Sequence, residues 1–265
     1  MRYRPPGRGS RTGDLTRLLP TPSDGRTRPP RPVAPSAWQL PDPEPHDLEG
    51  VVGVGADLEP STLVDAYRRG IFPWPHEDIP LPWFSPDPRG ILAVDAVHVS
   101  RSLARTLRRS GWTTTVDQSF EEVVAACAHR PEDDGTWIVP SMQRAYARLH
   151  RLGWAHSIEV WDVDALVGGI YGVQIGAIFT GESMFHRETD ASKVALLDLC
   201  QRFEEAGGAL VDVQVTTPHL ASLGAEDVPR ATFLTRVAEL RDREVRMLRA
   251  AAPVMRLLGD GSGNR

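Results

Sequence analysis

The sequence predicts an α+β fold, and three observations carry that reading. Residues 156–185 hold three consecutive runs, HSIEVWD, ALVGGIYGVQ and GAIFTGESMF, which are rich in β-branched and aromatic residues. Turn chemistry at Asp162–Asp164 and Gln174–Gly176 separates them, and connections this short pair strands antiparallel. Helical periods with capping signals flank these runs rather than alternating with them strictly. Finally, 265 residues with 41% hydrophobic content can bury a real core as one large or two small domains.

Taken in order, residues 1–35 are rich in Pro, Gly and Arg and lack an apolar period. Such a segment does not bury enough surface to offset its ordering entropy and is expected to be a disordered tail. Its first 32 residues carry eight Arg against two Asp, so the net charge of −5 averages a basic start with an acidic remainder. A small domain is expected over 36–90. There VVGVGADLEPSTLVDAYRRGIFPW reads as a strand or loop, a turn, and a helix over Ser61–Arg69 that Gly70 ends. A stiff loop rich in Pro and aromatics follows, with Phe72, Trp74, Trp83 and Phe84. Its rings suit either a stacking platform for a base or the plug of a small core.

The larger domain is expected over 91–250, with a flexible C-terminus at 251–265. Residues 91–99 alternate as a strand, and Ser100 is placed to cap the helix RSLARTLRRS before Gly111. Arg101, Arg105, Arg108 and Arg109 fall on one face of that helix. Cations stacked this way repel unless an anion faces them, and a phosphate backbone is the natural one, with a merely solvated face as the alternative. The strand TTTVDQ leads to Ser119, which has capping-box spacing with Glu122. The turn-rich loop HRPEDDGTWIVP holds Trp137, and helices are expected over Ser141–Leu152, from Asp190 or Thr189 to about Ala206, and near Arg230–Arg249. Between the last two, Ala209–Val215 reads as a buried strand and Pro218–Leu223 as a turn of helix.

The usual chemistries leave few traces. Eight scattered histidines without HExxH or paired CxxC spacing predict no metal site. There is no Walker motif, GVGAD is too short for a dinucleotide fingerprint, and Ser183 sits in GESMF rather than G-x-S-x-G. Cys127 and Cys200 lie in apolar helical surroundings and read as buried thiols of a reducing compartment. No run approaches the roughly 18 apolar residues of a membrane span, and the start lacks the apolar core of a signal peptide, so a cytoplasmic monomer is expected.

What remains is a polar pair, Asp212 and Gln214, two residues apart on an otherwise apolar strand. Period-two alternation points both side chains the same way, where they need a partner. With Glu182, two tryptophan loops and a basic helix, the pair suits acyl transfer from a nucleic-acid carrier to an amine. An ester that arrives activated needs no enzyme nucleophile, only placement and help with a proton and an oxyanion.

Seven motifs then occur in one order: YRRGIFPW (67–74), WFSPDPR (83–89), TWI (136–138), HSIEVW (156–161), GESMF (181–185), ASK (191–193) and DVQV (212–215). In this, residues 38–240 resemble the leucyl/phenylalanyl-tRNA–protein transferases. The resemblance implies a small N-terminal α/β domain and a C-terminal domain like the GCN5-related N-acetyltransferases, with a mostly antiparallel mixed sheet. It implies transfer of Leu or Phe, and in some members Met, from charged tRNA to an N-terminal Arg or Lys, marking the acceptor for N-degron degradation without metal or cofactor. By the same resemblance Trp74 and Trp137 flank the terminal adenosine, and Phe179, Met184, Val211 and Ile170 line the aminoacyl pocket with Glu182. Arg101, Arg105, Arg108 and Arg109 meet the acceptor stem, and Asp212 and Gln214 form the catalytic pair. A neutral amide is a poor base, so Gln214 is expected to orient the amine while Asp212 gives electrostatic help and Glu182 holds an ammonium or the acceptor's cationic side chain. Three positions depart from common family choices: Phe84 for a second Trp, Ile170 for Met, and Val213 for Cys. The pyrophosphate loop of an acyl-CoA acetyltransferase is replaced here by GESMFHRETDASK.

Overall fold

Eight strands, from Arg89 to Pro253, form one sheet in the computed structural model, which describes residues 1–3, 22–43, 50–76, 79–129 and 136–258. Strands β1 (Arg2–Tyr3), β2 (Trp38–Gln39) and β3 (Val51–Val54) precede helix α1 (Pro60–Tyr67), β4 (Phe72–Pro73), β5 (Pro82–Phe84) and β6 (Arg89–Ala93). Then come α2 (Arg101–Arg109), β7 (Thr113–Val116), α3 (Phe120–Ala128), α4 (Pro140–Arg151) and the strands β8 (Ala155–Asp162), β9 (Ala165–Ile175) and β10 (Ile178–His186). Helix α5 (Ala191–Glu205), β11 (Leu210–Gln214), α6 (Pro218–Ala221), β12 (Glu226–Val228), α7 (Arg230–Leu240), β13 (Ala252–Pro253) and a 3-10 turn at Val254–Leu258 complete the chain. The large sheet runs β12-β6-β11-β10-β9-β8-β7-β13, and β3-β5-β4 make a small one. The α+β expectation and the mostly antiparallel mixed sheet hold: β10 and β11 are parallel, and every other neighbouring pair of the large sheet is antiparallel.

Alternation along the central strands divides the core in two. Ile158, Ile170, Phe179 and Val211 face a cluster completed by α2, α5 and α7, with Leu103, Leu196, Phe203 and Phe233. Tyr171, Val173 and Phe185 face the other way, onto α1, α3 and α4, with Leu63, Val123 and Tyr146. Helix α1 and strands β4 and β5 pack into this second cluster through Val64, Phe72 and Trp83, and so share a core with α3 and α4.

The parallel pair is the feature that makes a site. Strands β10 and β11 share register only over Ile178–Thr180 and Leu210–Asp212. Beyond it β10 continues to His186 and β11 to Gln214 without facing each other, which opens a fork in the sheet. A bulge at Gly181/Ser183 in β10 and another between Asp212 and Gln214 in β11 bend the two prongs. Close packing fixes the strand beside the fork: a Cβ at Gly172 would stand 2.1 Å from the Thr180 carbonyl oxygen and 2.4 Å from the Phe179 ring. Gly172→Ala is therefore expected to destabilise the protein by about 1–3 kcal/mol or more, read as a lower urea midpoint at unchanged slope.

Local signals placed most helices to within a few residues. Ser100 caps α2, accepting from the Leu103 N–H at 3.2 Å. Helix α7 stops at Leu240, not near Arg249. Two caps differ from expectation. Ser119 makes no side-chain cap bond; its N–H goes instead to Glu159 at 3.4 Å. Asp190 has φ +71° and no cap bond, and its carboxylate binds Lys193 at 2.7 Å and Thr106 at 2.9 Å.

The disordered reading of 1–35 does not hold for residues 22–35; residues 4–21 lie outside those described. Thr27 is buried, with its N–H on the Met247 carbonyl at 2.8 Å, and the Arg31 N–H meets Leu152 O at 2.8 Å. The segment lies directly on Gly153, where φ is +80° and a Cβ would stand 2.8 Å from Pro29 O. Likewise the expected flexible C-terminus is ordered over 252–258: β13 pairs with β7, and Val254 and Leu257 are buried.

Candidate active site

The fork opens onto a cavity of about 400 Å³. Its floor is apolar: Ile170, Met184, Val211 and Val213 from the sheet, with Leu196 from α5. Gly181 leaves that floor open, since a Cβ there would meet nothing closer than 3.8 Å. Trp74 and Trp137 both line it, although they come from loops 63 residues apart in the chain. Trp74 is 38% exposed and is backed edge-on by Phe84 at 5.8 Å, which itself stacks on Phe72 at 6.1 Å. The departure at residue 84 thus lies behind Trp74, while Trp83 is core, its indole N–H donating to Gly55 O at 2.8 Å.

One predicted pocket residue is not in the wall. Phe179 is fully buried, edge-on to Phe203 at 6.1 Å, and belongs to the core under α5. The bulge two residues later separates the orientation of Phe179 from that of the cavity-lining segment 181–184.

Glu182 lines the cavity and reaches toward α1 and α4, accepting hydrogen bonds from Tyr67 Oη at 2.7 Å and Tyr146 Oη at 2.5 Å. The two hydroxyls lie 3.2 Å apart. Burial pushes the Glu182 carboxyl up to about 7, and the two phenol hydrogen bonds hold it from rising further. Burial and the neighbouring Glu182 keep both phenols well above the ordinary tyrosine range, so they remain donors.

The expected side-by-side arrangement of Asp212 and Gln214 is not what the strand produces. Asp212 is 1% exposed and turned into the protein, where Arg89 grips it with Nε on Oδ1 at 2.7 Å and Nη2 on Oδ2 at 2.6 Å. Gln214 has φ +60° after the bulge and lines the cavity. The alternation rule fails because a residue in the left-handed region breaks the period of two. Their one direct link is the Gln214 N–H donating to Asp212 Oδ1 at 3.0 Å. Sequence reasoning missed Arg89, Tyr67, Tyr146 and Leu196. The first two stand inside motifs noted above, and nothing local marked the others.

Helix α2 buries Leu103 and Leu107 and exposes Arg101, Arg105, Arg108 and Arg109. The Thr106–Asp190 bond ties it to the start of α5, whose Leu196 lines the cavity. Among the described residues, Asp117, His150 and His156 are the group with metal-ligand geometry. Their atoms are engaged with each other and the backbone, His156 Nδ1 with Asp117 at 2.8 Å and His150 Nδ1 with Ala155 O at 2.9 Å. Cys127 and Cys200 are both buried.

A forked sheet that opens an apolar, tryptophan-flanked cavity beside buried carboxylates offers what acyl transfer needs, a seat for an apolar acyl side chain and a group to take a proton. Residues 91–238 match the family model described as leucyl/phenylalanyl-tRNA protein transferase, and residues 56–87 match that of its N-terminal domain. Curated relatives called leucyl/phenylalanyl-tRNA–protein transferase include one from Anaeromyxobacter sp. (strain Fw109-5), 51% identical over 79% of this chain and 90% of its own. Another, from Edwardsiella ictaluri, is 48% identical over 77% of this chain and 85% of its own. The chain belongs to the leucyl/phenylalanyl-tRNA–protein transferase family. A solved GCN5-related N-acetyltransferase from Kribbella flavida overlays 61% of this chain and 58% of that one at 13% identity, with a TM-score of 0.33 that is too low to weigh.

Proposed function

We propose that the chain transfers Leu or Phe from charged tRNA to the N-terminal Arg or Lys of acceptor proteins, tagging them for N-degron degradation. On this reading it works as a cytoplasmic monomer without metal or cofactor. The cavity is the observation that carries the reading. Its apolar floor suits a γ-branched aliphatic or an aromatic side chain, and Met184 can repack around either. Trp74 and Trp137 are the flat surfaces beside which a terminal adenine stacks.

In the reaction the acceptor's amine attacks the ester carbonyl, a C–N bond forms, and the C–O bond to the ribose breaks. The ammonium must first lose a proton, and Glu182 is the cavity group that holds the ammonium and accepts the proton. Gln214 orients the amine. The attacking nitrogen gives up its second proton as the intermediate collapses, and the departing ribose oxygen takes it and leaves as a hydroxyl.

Purified protein, incubated with Leu-tRNA or Phe-tRNA and a peptide beginning with Arg, is expected to extend the peptide by one residue. Absence of extension by folded protein would refute the assignment. Replacing Arg101, Arg105, Arg108 and Arg109 together by Ala is expected to raise the KM for charged tRNA roughly tenfold or more at moderate salt. The dependence of log KM on log salt should weaken by about three to four. Transfer from a minimal aminoacyl-adenosine, which lacks the stem, should be unchanged.

A further inference from the structure

Arg89 is a long cation with 1% exposure, a burial that charged residues rarely reach unless paired. Besides its two bonds to Asp212, it gives Nη1 to Gly70 O at 3.2 Å. Its guanidinium carbon sits 4.9 Å from the Phe72 ring centre and 4.4 Å from that of Phe233. One side chain thereby ties together β11, the turn after α1, the strand leading to Trp74, and α7.

The carboxylate it holds has nothing left to offer a substrate. Asp212 Oδ1 accepts from Arg89 Nε and the Gln214 N–H, and Oδ2 from Arg89 Nη2 and Thr180 Oγ1 at 3.2 Å. Four donors fill the roughly four lone-pair sites of a carboxylate. Asp212 is also absent from the cavity wall. What it can do is hold residue 214 in a left-handed conformation that a glutamine rarely adopts unaided. Without that bond the strand would relax toward φ < 0 and swing Gln214 off the wall.

We propose that Arg89 is a positioning residue for the transfer reaction: it locks the Asp212 carboxylate, and through it the left-handed turn that presents Gln214 to the incoming amine. The proposal rests on the aminoacyl-transfer reading. Asp212 is then the link between Arg89 and Gln214 and makes no contact with substrate.

The test is a double-mutant cycle with Arg89→Lys and Gln214→Ala, assayed by transfer to an Arg-initial peptide, with thermal unfolding of each protein as the control for folding. Lysine keeps the charge but not the two-pronged grip. Arg89→Lys is expected to lower kcat on the order of a hundredfold, the scale of a 1 Å misplacement, with KM for charged tRNA unchanged within about threefold. In the Gln214→Ala background Arg89→Lys should cost almost nothing further, because both changes remove the same contribution. Losses that multiply, or an Arg89→Lys protein with wild-type kcat, would overturn the proposal while leaving the reaction intact. Failure of the wild-type chain to transfer would overturn the reaction and the proposal with it. If Arg89→Lys does not fold, Arg89→Gln, which keeps one donor for Asp212 but not the two-pronged grip, takes its place in the same cycle and is read by the same criteria.

Discussion

Asp212→Ala is expected to lower stability by about 3–5 kcal/mol, the usual cost of stripping one partner from a buried ion pair. The number follows from what is left behind. Without Asp212 the Arg89 Nε and Nη2 face a space where a methyl replaces two oxygens, and a buried guanidinium is left uncompensated. The Phe72 and Phe233 rings and the Gly70 carbonyl remain, but contacts of that kind offset only part of a buried charge. Against a total stability of about 5–15 kcal/mol, such a loss is large. Urea unfolding of the variant should show a much lower midpoint. Asp212→Asn, which keeps one acceptor and a similar shape, should lose clearly less. An alanine variant as stable as the parent would mean that the pair is not the clasp its geometry describes. Activity lost in Asp212→Ala thus reports folding first, and chemistry only when assayed well below the unfolding transition.

Local chemistry explains which parts of this molecule were legible in its sequence. Ser100 caps α2 because its hydroxyl meets an N–H three residues away, and the turns after Asp162 and Gln174 set an antiparallel register that the structure repeats. Interactions that close over long loops were not legible. Arg89 meets Asp212 across 123 residues and Tyr67 meets Glu182 across 115, and no periodicity encodes either partner. Two bulges did more damage than distance. Each shifts the face that later residues present, which is why strict alternation misplaced the Asp212–Gln214 pair. Composition misjudged residues 22–35 for another reason. That segment is held by backbone hydrogen bonds, the Trp154 indole on Arg31 O at 2.8 Å, and the Asp24–Arg246 pair. Polar anchoring of this sort is invisible to a count of apolar residues.

The second large effect is expected at Glu182, in both stability and rate. Its carboxyl is raised from 4.5 to about 7 by burial. A carboxyl whose pKa is higher in the folded state binds its proton more tightly there, so its contribution to stability is complete below pH 4.5. As the pH rises toward 7 that contribution falls by about 3 kcal/mol. Glu159, also raised to about 7 by burial, adds a decline of the same sign. Glu182→Gln should remove about one proton from the slope of stability against pH between 5 and 7, leaving the share of Glu159 in place. The rate should run the opposite way. If the Glu182 carboxylate takes the ammonium proton, kcat for transfer rises through pH 7 in the parent protein. Glu182→Gln should lose that rise and about a hundredfold or more of the rate, within the span of general-base contributions. Tyr146→Phe makes the assignment specific: it removes a 2.5 Å donor that holds the carboxyl down, so the rise should move to higher pH while the plateau survives. An unchanged profile in both variants would place the proton acceptor elsewhere and reduce Glu182 to a buried anchor for Tyr67 and Tyr146.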